Sequence, residues 1–351
     1  NPEKLKSVLD IVDKTIDSAD QVLLGKLLGG YENDIDDLLD DMIKETYRLL
    51  YGRDSSGKIQ PTIKYLQEMN LALEEQMCCS SLAYFCSNRL NMQVNWHHLE
   101  WAWLVENFML LCVLAARDHG KSFFFSHGFP IWMMYKYDRL SKDQNVLNGR
   151  SGYIFSNTQS QVIDLLEIIK DSISDIDILR EKLFPNMREV WSKGSIKTKN
   201  GCRLRVRGLG STVRGAHPGY IVLDDPLKDN VLYSRNQREK NKAYFNASIL
   251  PMLVPGGQMI VAGTPFHIDD LYSIFRNSYD FAYRVYPAID EQGNLLWKER
   301  HNKADLDMRR RVQGNTIFTR EFLVRPISDQ STLFPDEITK KSVLGMGGYS
   351  Y

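Results

Sequence analysis

Residues 115 to 122 read Ala-Ala-Arg-Asp-His-Gly-Lys-Ser. They follow the apolar, β-prone run Met109 to Ala115 and precede an apolar helical pattern from Lys121 to about Tyr137. A strand, a short polar loop closing in Gly-Lys-Ser and a helix are the parts of a phosphate-binding loop, whose pattern is G-x-x-x-x-G-K-[ST]. Gly120, Lys121 and Ser122 match it, and Ala115 stands where the first glycine belongs. In such a loop the backbone N–H groups and the new helix N-terminus face phosphate oxygens. The candidate nucleotide-binding stretch is therefore Ala116, Arg117, Asp118, His119, Gly120, Lys121 and Ser122. Lys121 is expected to reach the β- and γ-phosphates of ATP, and the Ser122 hydroxyl to sit on Mg²⁺. Gly120 lets the backbone approach with no Cβ in the way. The plain alternative is a strand-to-helix turn capped by polar residues. Arg117 is unusual inside such a loop. It is either a structural or solvent-facing arginine, or a guanidinium near the γ-phosphate that stabilises developing charge.

From about residue 96 onward, short apolar β-prone runs alternate with helical patterns. Strands are expected at Tyr153 to Ser156, Arg203 to Arg207, Tyr220 to Leu223, Gln258 to Ala262 and Ala282 to Tyr286, with a helix over Gln161 to Lys170. That alternation predicts an α/β fold with a mostly parallel central sheet flanked by helices. Residues 1–95 read as an N-terminal helical region. Leu5, Val8, Leu9, Val12 and Ile16 recur at helical spacing, and a second helical stretch covers about 62–92. Glu32 to Asp41 is an acidic, amphipathic segment, a solvated helix face or a docking surface for a basic partner.

Tyr220-Ile-Val-Leu-Asp224-Asp225 is an apolar strand ending in two acids. At the carboxyl end of a parallel strand these acids enter the ligand crevice. Asp224 is expected to hold Mg²⁺ and Asp225 to orient the attacking water; otherwise both cap the turn before Pro226. Gly263-Thr264-Pro265 ends another strand, either as an ordinary turn or with the Thr264 hydroxyl near the γ-phosphate. Asp269 and Asp270 are expected to cap the next helix.

Lys+Arg and Asp+Glu both number 44, which excludes a globally basic nucleic-acid binder and leaves room for a local patch. The five cysteines form no CxxC pair, arguing against a disulfide scaffold or structural zinc and for a reducing compartment. Cys78 and Cys79 read as small buried hydrophobes. No apolar run reaches the roughly 18 residues of a membrane helix, and no signal peptide opens the chain.

Five elements in order carry a family resemblance: Ala115 to Ser122, Ser156 to Gln161, Val213-Arg214-Gly215, Ile221 to Asp225 and Gly263 to His267. Together they resemble the ATPase part of the large terminase subunit, the DNA-packaging motor of tailed bacteriophages. The resemblance spans about residues 96–325. It implies a P-loop NTPase of the additional-strand (ASCE) type that hydrolyses ATP with Mg²⁺ and drives double-stranded DNA into a procapsid through a portal ring. It implies that Arg117 acts in cis at the γ-phosphate. Arg214 would act in trans on a neighbouring subunit's ATP, so that the chain self-associates into a ring. Thr264 would couple hydrolysis to the rest of the chain. Trp96, His97 and His98 would border the adenine. A small terminase subunit is an implied partner, and the host cytoplasm, with transient attachment to the procapsid, the implied location. Ala115 and Asp225 depart from the family pattern, which has Gly and usually Glu there. The family's C-terminal nuclease domain is not expected in the 25 residues after Pro326, so nuclease activity is not expected from this chain. The domain expectation is a helical region over 1–95, the ATPase over 96–328 and a linker over 329–351.

Arg203, Arg205, Arg207 and Arg214, with Lys193, Lys197 and Lys199, form the densest basic stretch, and Arg309-Arg310-Arg311 a second. Each is either a phosphate-gripping surface or a solvated one balanced by the acidic helices. Two rival readings stand beside the packaging motor. One is a helicase-like DNA-dependent ATPase. The other is a nucleotide-dependent assembly protein of the portal with little turnover.

Overall fold

The structure, a computed structural model, describes residues 63–185, 190–213 and 215–328. The expected helix through Leu5 to Ile16, the acidic segment, Arg214 and the segment 329–351 lie outside these residues. The chain divides into two compact units, Asn1–Gln76 and Met77–Tyr351.

The second unit carries eight strands among the described residues, in one sheet. They are β1 (Leu110–Ala115), β2 (Ser151–Ser156), β3 (Trp191–Ser192), β4 (Ser195–Lys197), β5 (Arg203–Gly208), β6 (Tyr220–Asp224), β7 (Gln258–Gly263) and β8 (Ala282–Tyr286). Their spatial order is β3-β4-β5-β2-β6-β7-β1-β8. β3, β4 and β5 pair antiparallel, and every other pair is parallel. The two antiparallel strands at one end were invisible in the sequence, because two- and three-residue strands are too short for a period to show.

Both sheet faces are covered, which is why the central strands read as unbroken apolar runs: β6 and β7 are buried at every residue. Alternate residues serve alternate layers. On one face Val113, Ile154, Leu204, Val222 and Ile260 pack under helices Leu82–Leu90, Trp96–Asn107 and Gln159–Asp175. On the other, Leu114, Phe155, Ile221 and Val261 meet Phe245, Phe275, Phe318 and Phe322. Leu82, Phe85 and Cys86 belong to the first core, so the unit that holds the sheet starts well before residue 96. The expected helical stretch over 62–92 is two helices, Ile63–Ser80 and Leu82–Leu90. Cys78 is fully buried in the first core, as expected, whereas Cys79 is only half-buried and packs against it.

The position of β7 decides the fold type. It lies between β1, which leads into the Gly-Lys-Ser loop, and β6, which ends in the acid pair. One extra strand between the phosphate-gripping and acid-bearing strands is what the additional-strand P-loop class means. The neighbouring strands β2, β6, β7 and β1 run parallel and deliver their C-terminal ends to one edge.

Candidate active site

That edge holds a cleft of about 690 Å³, lined among others by Gly120, Lys121, Ser122, Asp225 and Thr264. Gly120, Lys121 and Ser122 follow β1, Asp225 follows β6 and Thr264 follows β7. After β1, Asp118 takes φ +64° and Gly120 φ +84°. The second of these is a left-handed position that glycine fills without strain. A Cβ on Gly120 would lie 2.7 Å from His98 Nε2, so bare backbone is required on packing grounds as well. The helix that follows opens with a π-helical turn, Ser122–Gly128, before the α-helix Phe129–Lys136. Such wide turns concentrate at functional sites.

Lys121 is buried, and its ammonium group is not left bare. Nζ donates to the carbonyls of Ala115 at 2.7 Å and Ala116 at 3.1 Å, and to Thr264 Oγ1 at 3.3 Å. Ser122 Oγ donates to Asp224 Oδ1 at 3.0 Å. Asp224 is 4 % exposed, and burial together with the neighbouring Asp225 pushes its carboxyl up to about 7. Asp225 stands at φ +39°, a strained conformation for a non-glycine residue. Its Oδ1 accepts from the Thr264 backbone N–H at 3.1 Å. Thr264 thus touches both the lysine and the second acid. The Gly263 before it has no room for a side chain, since a Cβ would meet the buried Tyr272 hydroxyl at 1.9 Å.

The donor set of Ser122, Asp224 and Asp225 is all oxygen, which suits a hard cation. Among the described residues no group of three or more His, Cys, Asp or Glu is arranged to hold a metal ion. The oxygen set of Ser122 and the two aspartates would fit Mg²⁺, which is usually bound through one or two carboxylates plus substrate phosphates.

Arg117 lines the cleft, with its side chain 63 % exposed. Its Nη1 pairs with Glu321 Oε2 at 2.8 Å, and its backbone N–H donates to the Glu321 carbonyl at 2.9 Å. Glu321 also accepts from Arg320 Nη2 at 2.8 Å. Burial alone would raise the Glu321 carboxyl, but the two arginines hold it below its usual range. Glu321 and Arg320 end helix Asn315–Glu321, far from the loop in sequence, and no local signal pointed to them. Asn157 and Gln161 also line the cleft. They sit where β2 ends and helix Gln159–Asp175 begins, capped by the Thr158 hydroxyl.

The structure does not bring Trp96 or His97 to this cleft. His97 is fully buried, and its ring packs against His98, Trp101 and Trp297 under the loop. His98 is fully buried beside it and caps its own helix by accepting from Asn95 N–H at 3.0 Å. Trp96 is exposed, but it borders a separate cleft of about 400 Å³ with Arg284, Tyr286 and Asp290. Ala116 and His119 are buried as well, and neither lines the cleft. Asp270 is not the cap of the next helix, whose N-cap is Leu271; its buried carboxylate instead ties the turn together by accepting from the backbone N–H of Phe266, His267 and Tyr272. Asp269 does not cap it either; it pairs with Lys242 at 2.6 Å. Arg309 and Arg310 do not form an open patch. Arg309 Nη1 reaches Asp118 Oδ2 at 3.3 Å, and Arg310 Nε donates to Asn315 Oδ1 at 2.8 Å.

Strand order and loop geometry together define a P-loop α/β fold of the additional-strand type. Among solved structures, the chain is similar to the large terminase of bacteriophage HK97, at 13% identity over 72% of this chain and 55% of that one, with a TM-score of 0.48. It is similar to a variant of the large terminase ATPase domain of Thermus phage P74-26, at 15% identity over 69% of this chain and 97% of that one, with a TM-score of 0.47. It is also similar to the large terminase of a thermophilic bacteriophage in complex with ADP, at 9% identity over 72% of this chain and 52% of that one, with a TM-score of 0.42. The chain therefore spans about half the length of the HK97 protein and of the ADP-bound one. No protein-family model and no curated protein matches the chain.

Proposed function

We propose that this chain is the ATPase part of a viral DNA-packaging motor, hydrolysing ATP to translocate double-stranded DNA. One observation carries the nucleotide half of this reading: a buried lysine, a serine–aspartate pair and a second acid converge on one cleft from three strand ends. The order of the five sequence elements carries the packaging half.

In this reading Lys121 leaves the Ala115 and Ala116 carbonyls for the β- and γ-phosphates, and Ser122 with Asp224 would hold Mg²⁺. When bound there, Mg²⁺ neutralises charge on the phosphate oxygens. Asp225 orients a water that attacks the γ-phosphorus. The P–O bond to the β-phosphate breaks, ADP departs with the bridging oxygen, and the water's proton passes to Asp225. Arg117 leaves Glu321 to meet charge developing on the γ-phosphoryl group. Thr264, bonded to both Lys121 and Asp225, registers the loss of that group. Arg214 completes a neighbouring subunit's site and makes the active form a ring. The portal ring and a small terminase subunit are the assembly partners.

Phosphates of the DNA backbone meet the β4–β5 end of the sheet. On β5, Arg203, Arg205 and Arg207 alternate with buried residues, so all three share one face. Among the described residues none of the three forms an ion pair. Lys197 lies directly across from Arg203 on the neighbouring strand. Among the described residues no helix is long and apolar enough to cross a membrane.

The deciding experiment is steady-state ATP hydrolysis by wild type, Lys121→Ala and Asp225→Asn, with and without double-stranded DNA. Turnover that both variants lose supports the motor; turnover that survives Lys121→Ala overturns it.

A further inference from the structure

Three consecutive carbonyls of the phosphate-binding loop each meet an imidazole nitrogen. The Arg117 carbonyl meets His119 Nδ1 at 2.8 Å, that of Asp118 meets His301 Nε2 at 3.2 Å, and that of His119 meets His97 Nε2 at 3.3 Å. A carbonyl only accepts, so each of these nitrogens carries the hydrogen, which fixes the tautomer of all three rings. The rings come from three places: the loop itself, helix Trp96–Asn107, and the segment just before helix Lys303–Gln313. They form one packed cluster. His119 stacks on His301 at 4.5 Å, and Trp297 meets His97 edge-on at 5.4 Å. All three histidines are at least nine-tenths buried, and none lines the cleft. Burial holds His97 near 4 and His119 near 3, so both donate as neutral imidazoles.

The peptide unit is planar and trans, so the N–H of the next residue points opposite to each carbonyl. Carbonyls held down onto the histidines therefore turn the N–H groups of Asp118, His119 and Gly120 the other way, toward the cleft. Among the described residues, none of those three N–H groups has a hydrogen-bond partner. Three adjacent, aligned, unsatisfied donors beside a buried lysine are what a phosphate group takes up.

We propose that His97, His119 and His301 form a donor belt beneath the loop and act as positioning residues, presetting its peptide planes for a polyphosphate. The proposal rests on the nucleotide reading above and adds the residues that make the loop rigid before ligand arrives. Because the belt serves the phosphates alone, it has no part in choosing the base.

The test is binding of a fluorescent ADP analogue to the full chain, with inorganic pyrophosphate and GDP as competitors. The variants are His97→Leu, His301→Leu, His97→Gln and His301→Gln, with Lys121→Ala as the reference. Glutamine places an amide N–H near the position of Nε2, whereas leucine keeps bulk and removes the donor. Each leucine variant is expected to weaken ADP and pyrophosphate by the same factor, about five- to tenfold, the scale of one lost hydrogen bond. The ADP-to-GDP ratio stays unchanged, and each glutamine variant recovers most of the affinity. If a leucine variant fails to fold by circular dichroism, His301→Asn, whose amide is too short to reach, takes its place. Leucine variants that bind like wild type overturn the belt. So do glutamine variants that lose as much as leucine, since shape and not the donor would then matter. If wild type shows no Lys121-dependent binding of ADP or pyrophosphate, the nucleotide reading itself falls and the belt falls with it. Wild-type binding with silent histidine variants sinks the belt alone.

Discussion

Ser122 Oγ donates to Asp224 Oδ1 at 3.0 Å, across the 102 residues between the start of one helix and the end of one strand. The contact places a hydroxyl and a carboxylate side by side at the mouth of the sheet, on a carboxyl that burial pushes up to about 7.

The pH dependence of stability follows from that carboxyl. Unfolded, Asp224 loses its proton near 3.8; folded, it keeps the proton to about pH 7. Between those values the folded chain binds more protons, so this group's contribution to stability falls as pH rises from about 4 to 7. Asp224→Asn has no such loss. Without nucleotide it should be more stable than wild type at pH 8, by an amount on the order of 1–3 kcal/mol, with the gap closing toward pH 5. Thermal melts at the two pH values check this, and the same variant should lose Mg²⁺-dependent hydrolysis.

Arg117 and Glu321 form a pair whose arginine side is mostly exposed, so it adds little to stability. Its role in the reading above is to occupy the arginine until a phosphate arrives. Glu321→Gln removes that competition. Melting should move by less than about 1 kcal/mol, while affinity for ATP rises about two- to fivefold, the scale of an exposed ion pair. Calorimetric titration with a non-hydrolysable ATP analogue measures the change; unaltered or weaker binding contradicts it.

Gly120→Ala combines a left-handed backbone with a Cβ 2.7 Å from His98 Nε2, a ring fully buried among aromatics that cannot retreat. The loop must open to accept the methyl group. ADP binding should fall by more than tenfold, with a stability loss of about 1–3 kcal/mol. A variant that melts and binds like wild type would show that the loop has room to spare.

The arginine face of β5 makes a salt-dependence prediction. If Arg203, Arg205 and Arg207 each neutralise one DNA phosphate, replacing any one by alanine should reduce the slope of log K against log salt by about 0.9. The weakening should be the same on DNA of any sequence. Filter binding at four salt concentrations suffices to see it.

The sequence made the central sheet legible because its inner strands are buried on both faces and so show as bare apolar runs, as at Tyr220 to Leu223 and Gln258 to Ala262. The loop was legible because Gly120 and Lys121 are local requirements of one turn. What stayed hidden is what other segments bring to that turn. Glu321 and His301 reach the loop from 204 and 183 residues away, and an isolated carboxylate or imidazole carries no spacing to betray it. Trp96 and His97 went astray for a related reason. Side chains next to each other near a helix start face different ways, and here one opens onto a second cleft while the other is buried beneath the loop. Arg309 and Arg310 read as a charged run, but each is bonded to its own chain.

Thr264 has a consequence for inheritance. Its hydroxyl answers to the lysine from β1, its amide answers to the acid from β6, and the glycine before it has no room for a side chain beside the Tyr272 hydroxyl. A drift at any one of Lys121, Asp225, Gly263 or Tyr272 therefore alters the surroundings of the same turn. Lineages of this chain should change these positions together or leave them alone, and the two-residue turn would be the slowest-moving stretch of the whole sheet.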